Sequence, residues 1–209
     1  LNALFSRLRL SLVLALCTFA WAMPTHAALV EGRDYVKLAA PRPQETQGKI
    51  EVIEFFSWGC PHCDHLHPLL TQWAAKLPAN VTLIRVPISL GRPQWGQLVR
   101  TYYSLQATGD LARLDTALFD AIHRQKQQLY NQANITAWVV QQGVDEAKFT
   151  AAYNSFNVST RSQHAEQLSR EYQVDGIPAI YVAGRYQALG NDFNTMLANT
   201  TQLIEMAGK

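Results

Sequence analysis

A dense run of β-branched and aromatic residues, Lys49 to Ser57 (KIEVIEFFS), stops at Trp58-Gly59 and gives way to Leu66, Leu69, Leu70 and Trp73 at helical spacing. A second such run, Val81 to Ile88 (VTLIRVPI), follows. The first run has strand length and no polar face, so it predicts a strand buried on both sides, with Glu54 as its odd member. Strand, helix and strand within about forty residues make a βαβ unit with a parallel pair, which requires a layered α/β fold. Pro61 suits the first helical position, where its missing N–H costs nothing, and Pro68 predicts a kink further on.

At the junction of strand and helix stand Cys60-Pro61-His62-Cys63. Two cysteines at this spacing on a helix start bring their sulfurs within bonding distance and give them unequal surroundings. Cys60 is expected to be the exposed one, its thiolate stabilised by unpaired N–H groups and the positive helix end, while Cys63 lies one turn inside. His62 adds a donor or a positive charge beside the Cys60 thiolate. Such a pair can cycle between dithiol and disulfide, and stabilising the reduced form makes the disulfide a stronger oxidant. The same spacing also makes half of a zinc site, with His62, His65 and His67 nearby. All these groups crowd one helix start without a second knuckle, so no metal site is expected, and His65 and His67 read as ordinary surface or helix-face residues.

Residues 1–27 contain no acid, carry Arg7 and Arg9, run apolar from Leu10 to Ala22 and end Pro24-Thr25-His26-Ala27. This is the layout of a cleaved signal peptide, too short in its apolar run to span a bilayer. Cys17 leaves with it, so Cys60 and Cys63 remain as an isolated pair in an exported chain, without a structural disulfide network. The whole sequence has 18 basic and 16 acidic residues, a balance that argues against a nucleic-acid partner.

Between about residues 92 and 172 helical spacing takes over. Trp95, Leu98, Val99, Tyr102 and Leu105 form one stripe, and Leu111, Leu114, Leu118 and Ile122 a second. Ile135, Trp138 and Val139 form a third that Gly143 ends. Asp145 can cap a segment carrying Phe149, Tyr153 and Phe156, and Thr160 with Gln163 has capping-box spacing for a helix ending near Tyr172. These aromatics read as core. After Gly176-Ile177-Pro178 the chain returns to strand in a hairpin, Ala179 to Val182 and Tyr186 to Leu189, and a last amphipathic helix starts near Asp192.

The run Glu54-Phe55-Phe56-Ser57-Trp58-Gly59-Cys60-Pro61-His62-Cys63 closely resembles the active-site segment of the DsbA family of periplasmic thiol oxidases. The order of elements agrees over essentially the whole chain after residue 27. The resemblance implies an α/β thioredoxin fold built from residues 28–91 and 172–209, interrupted by a helical domain at 92–171. It implies a catalytic set of Cys60, Cys63, His62, Pro61 and Glu54. Glu54 would move protons to and from Cys63 with a pKa raised by burial. Gly176-Ile177-Pro178 matches the family's substrate-binding loop, with Pro178 cis. The implied partners are reduced, unfolded exported proteins and a membrane quinone-linked reoxidant of the DsbB type. No bound cofactor, a periplasmic location and a monomer are expected. His67 stands where relatives carry a second acidic residue, and Ile177 where many carry valine. Alternatives are a thioredoxin-like reductase or disulfide isomerase, and a non-enzymatic peptide- or metal-binding module.

Overall fold

The computed structural model describes residues 28–208; the expected signal peptide lies outside the described residues. The chain runs β1 (Tyr35–Lys37), β2 (Ile50–Phe56), α1 (Pro61–Ala74), β3 (Val81–Pro87), α2 (Pro93–Thr108) and α3 (Leu111–Phe119). A five-residue π turn (Asp120–Arg124), α4 (Gln132–Gln141), α5 (Glu146–Tyr153) and α6 (Phe156–Glu171) follow. Then come β4 (Ala179–Val182), β5 (Tyr186–Ala188) and α7 (Phe193–Ala207).

The strands form one mixed sheet in the order β1-β5-β4-β2-β3. Only β2 and β3 are parallel, joined through α1 as the βαβ reading requires; β4 and β5 are the hairpin. The arrangement is a thioredoxin fold with five helices, α2–α6, inserted between β3 and β4. Central β2 is buried at six of its seven residues, because helices cover both faces of the sheet. Alternation sends Val52 into a core shared with Leu66 and Leu70 of α1 and Leu203 and Ile204 of α7. Ile53 and Phe55 join the larger core formed with the inserted helices. The edge strand β1 carries no sequence signal beyond three residues and pairs only with β5.

Most of the helical stripes are buried as their spacing predicts. Trp95, Leu98, Val99, Tyr102 and Leu105 of α2 are all core, and Gly109 closes that helix at φ 84°, a left-handed turn that glycine adopts without penalty. Helix α1 runs through Pro68 as one element. Two expectations fail further on. Phe156 is 86% exposed and does not belong to the core. It opens α6 rather than closing α5, since α5 already ends at Tyr153 and Asn154 turns the chain. The true cap of α6 is Ser155, whose hydroxyl accepts from the Val158 N–H, so Thr160 sits inside the helix and caps nothing. A serine just after a turn leaves the first free N–H groups within its reach, which the later capping-box pattern cannot offer.

Candidate active site

Strand β2 ends at Phe56, and Ser57-Trp58-Gly59 turns the chain into α1. Cys60 is the N-cap of that helix, with extended dihedrals, and Pro61 is its first residue. The turn is held by Cys60 N–H donating to the Ser57 carbonyl at 3.1 Å and Gly59 N–H donating to the Ser57 hydroxyl at 3.2 Å. No side chain caps α1, so its orphan N–H groups are left to the Cys60 sulfur. Gly59 has no room for more: a Cβ there would lie 2.3 Å from the indole nitrogen of Trp95 on α2. The inserted helices therefore press directly on the turn that carries the cysteines.

Both cysteines are free thiols. The Cys60 pKa is lowered to about 6, first by the Cys63 thiol donating to its sulfur. The N–H groups of Cys63 and His62 and the charge of His62 lower it further, against an opposing effect of burial. The Cys63 pKa is pushed far up, first by burial, then by the neighbouring Cys60 sulfur and the charge of Glu54. At neutral pH the pair is a Cys60 thiolate beside a Cys63 thiol. One expectation is corrected: Cys60 is buried, at 4% exposure. Its sulfur lies 3.5 Å from the carbonyl oxygen of Ile177, so the loop before β4 closes over the helix start. The Ile177–Pro178 peptide is cis; both residues are half-buried and Gly176 is exposed. His62 is exposed.

Beneath the cysteines Glu54 is fully buried. Parallel pairing puts Glu54 of β2 in register with Arg85 of β3, and the Arg85 Nε donates to the Glu54 Oε2 at 2.6 Å. Burial raises the Glu54 pKa, Arg85 opposes the rise and the charge of Asp115 adds to it. Arg85 also donates through Nη1 to the carboxylate of Asp115 on α3. Asp115 in turn accepts from the Trp58 indole N–H at 2.9 Å.

His67 is buried on the inner side of α1, hydrogen-bonded to the Thr116 hydroxyl at 2.9 Å, 3.8 Å from Asp115 and tilted over the Phe119 ring. Burial lowers its pKa, which keeps the ring neutral. The helix-face reading of His67 thus holds and the surface one does not. His65 is exposed.

Four residues of the site escape the sequence reading, Arg85, Asp115, His123 and Arg124, and Trp95, read there only as core, abuts the cysteine turn. The π turn adds one residue to a helical turn and re-aims the side chains that follow, a device often found at functional sites. Here it brings the His123 Nε2–H to donate to the Trp58 carbonyl at 2.7 Å and Arg124 to both oxygens of Asp64 at 3.0 and 3.2 Å. Only Arg85 left a signal, a charge inside an apolar strand. The others become neighbours of the cysteines only through tertiary packing. Among the described residues, no three or more His, Cys, Asp or Glu side chains gather as a metal site.

A family profile described as the DSBA-like thioredoxin domain matches residues 51–202. The thiol:disulfide interchange protein DsbA of Bordetella pertussis is 39% identical over 181 residues, covering 85% of this chain and 86% of the relative. The Burkholderia cepacia protein of the same name is 35% identical over 210 residues, covering 100% of this chain and 97% of the relative. Among solved structures, Pseudomonas aeruginosa DsbA superposes with a TM-score of 0.80 at 34% identity, over 84% of this chain and 92% of the other. The oxidoreductase DsbA from Xylella fastidiosa gives 0.79 at 32% identity, over 85% and 97%.

Proposed function

The chain belongs to the DSBA-like thioredoxin domain family and is a protein thiol:disulfide oxidoreductase; from that premise we propose that it works in the periplasm as an oxidase. It would pass the Cys60–Cys63 disulfide to reduced, newly exported proteins. The observation that carries this direction is the unequal seating of the two sulfurs: Cys60 at the N-cap of α1, its pKa lowered to about 6, beside the fully buried Cys63 thiol. Whatever stabilises the dithiol form makes the disulfide readier to accept electrons.

The exchange runs in two displacements. A substrate thiolate attacks the Cys60 sulfur; the Cys60–Cys63 bond breaks, and Cys63 leaves with the electron pair and takes a proton. A second substrate thiolate then attacks the substrate sulfur of the mixed disulfide and expels Cys60 as its stabilised thiolate. Two electrons pass from substrate to enzyme, and the substrate leaves with a new disulfide. In this reading Glu54 supplies and later recovers the Cys63 proton, and Pro61 starts the helix whose N–H groups hold Cys60. Gly176, Ile177 and Pro178 offer backbone to an extended substrate beside the Cys60 sulfur. The sulfur pair itself holds both electrons, so no bound cofactor or metal is needed. A membrane quinone-linked partner of the DsbB type would reoxidise the dithiol, and one site per chain suits a monomer. Among the described residues no helix is long and apolar enough to cross a membrane.

The test is transfer from the oxidised protein, in stoichiometric amount, to a reduced peptide with two cysteines. Complete conversion of the peptide is expected. Preferential reduction of the peptide's disulfide by the dithiol form would make the protein a reductase. A finer expectation concerns His62. His62→Ala removes one source of thiolate stabilisation and should raise the Cys60 pKa. At pH 7 the whole effect of the lowered Cys60 pKa is worth roughly 30 mV, so the disulfide should become less oxidising by up to about that amount. An unchanged potential in glutathione buffer would remove His62 from the account.

A further inference from the structure

The buried charges beneath the cysteines do not cancel. Two carboxylates, Glu54 and Asp115, share one guanidinium, that of Arg85, which donates to Glu54 through Nε and to Asp115 through Nη1. The two acids are not equivalent. Glu54 has no exposed surface, only one of its oxygens is hydrogen-bonded, and Oε1 has no partner among the described residues. The Asp115 side chain keeps 17% exposure, accepts from the Trp58 indole at 2.9 Å and lies 3.8 Å from the His67 ring. A proton entering the cluster is therefore best held on Glu54, the carboxylate with no exposed surface and an unpartnered oxygen.

We propose that Asp115, delivered by the inserted helix α3, is a positioning residue that draws part of the Arg85 charge away from Glu54 and so keeps Glu54 able to hold the Cys63 proton. The inference rests on the proposed role of Glu54. Asp115 touches neither sulfur. It acts through Arg85: with its charge removed, the whole guanidinium would turn to Glu54 and hold it ionised. The other groups around the cluster do not substitute for it. On α1, Cys63 is the proton's other seat and His67 is neutral; Asp64, further round that helix, is taken by Arg124 of the π turn. On α2, the Tyr102 phenol is pushed up to about 12 by burial and stays protonated. His123 of the π turn is engaged with the Trp58 carbonyl. Asp115 is thus the second anion on Arg85, and it makes the helical insertion part of the redox chemistry as well as a cover for the sheet.

The proton matters most in the first displacement, when Cys63 leaves as a buried thiolate and needs a donor. The experiment follows reduction of the oxidised protein by dithiothreitol from pH 5 to 9, quenched by alkylation and counted by mass, with rates normalised to dithiothreitol thiolate. The normalised rate should fall at high pH as Glu54 loses its proton. Asp115→Asn should move that basic limb at least half a pH unit lower, making the reaction about threefold slower on the limb. Asp115→Glu should restore it. Trp58→Phe, which takes away the indole bond but no charge, should leave the limb in place and so separates the charge effect from a packing effect.

Glu54→Gln should abolish the limb and make Asp115→Asn silent when the two are combined. A limb unmoved by Asp115→Asn, or moved equally by Trp58→Phe, would overturn the role of Asp115 while leaving that of Glu54 standing. A wild-type limb in Glu54→Gln would overturn both. Should Asp115→Asn fail to fold, an unshifted limb in Arg85→Lys, which cannot fork to both acids, would equally contradict the proposal.

Discussion

Cys60→Ser and Cys63→Ser should both reduce disulfide transfer to the uncatalysed background, since neither can form the Cys60–Cys63 bond. Cys63→Ser alone should capture an added disulfide: its Cys60 thiolate attacks oxidised glutathione, forms a mixed disulfide and releases one glutathione thiolate. The difference follows from where the two sulfurs sit. Cys60, at the helix N-cap, has its pKa lowered to about 6 and is roughly nine-tenths thiolate at pH 7. Cys63 has no exposed surface and its pKa is pushed far upward by burial, so it can neither attack nor be attacked in place of its neighbour. Without Cys63 the mixed disulfide has no internal thiol to resolve it and persists as a covalent adduct detectable by mass. Cys63→Ser should carry a second mark. The largest cause of the low Cys60 pKa is the Cys63 thiol donating to it, so alkylation of Cys60 should titrate at a different pH in this variant, and a higher one wherever serine donates less well. Capture of oxidised glutathione by Cys60→Ser at a rate like that of Cys63→Ser would mean that Cys63 is reachable, against its burial.

The pH dependence has a definite sign. A thiol whose folded pKa lies below its unfolded value contributes stability that is complete above the unfolded pKa, near 8.5 to 9, and is lost as pH falls through about 6. At pH 7 this amounts to roughly 1.4 kcal/mol for the dithiol form. The disulfide form has no thiolate to stabilise, so the gap between the two forms should narrow steadily toward pH 6.

The second large effect is structural. Arg85→Met should destabilise the fold by about 3–5 kcal/mol at neutral pH, because it leaves the fully buried Glu54 without its cation. The loss should depend on pH. Unpaired, Glu54 would have its folded pKa raised still further, and a carboxylate with a raised folded pKa costs stability above its unfolded value and nothing below it. The deficit measured by guanidinium unfolding should therefore be largest at pH 7 to 8 and shrink toward pH 4. A deficit below about 1 kcal/mol, flat with pH, would show that the ion pair carries little of the core's integrity.

How much of this was legible in the chain follows from how local each feature is. The βαβ unit, the hairpin and the stripes of α2 are written in periodicity, and the seat of Cys60 at a helix start is written in the Gly59-Cys60-Pro61 sequence. Glu54 stood out as a charge inside a strand, but its partner could be found only by setting β2 and β3 in parallel register, which places Arg85 opposite. Asp115 lies on α3 and His123 in the π turn after it, over a stretch whose pattern reads as one ordinary amphipathic helix; the π turn has no signature in residue spacing. Phe156 was misread because a hydrophobic residue at the right spacing after α5 looks like its last turn, whereas Asn154 and Ser155 end one helix and cap the next. The burial of Cys60 was missed for a related reason: the Ile177 carbonyl that covers it comes from more than a hundred residues away.

The most direct test of the central claim is the redox equilibrium of the protein with glutathione, read by alkylation of Cys60 and Cys63. The account predicts a disulfide far more oxidising than that of thioredoxin, toward about −120 mV, the value known for a strong oxidant of this family. A potential near about −270 mV would place the pair with thioredoxin, and the same two cysteines would then be reducing their substrates.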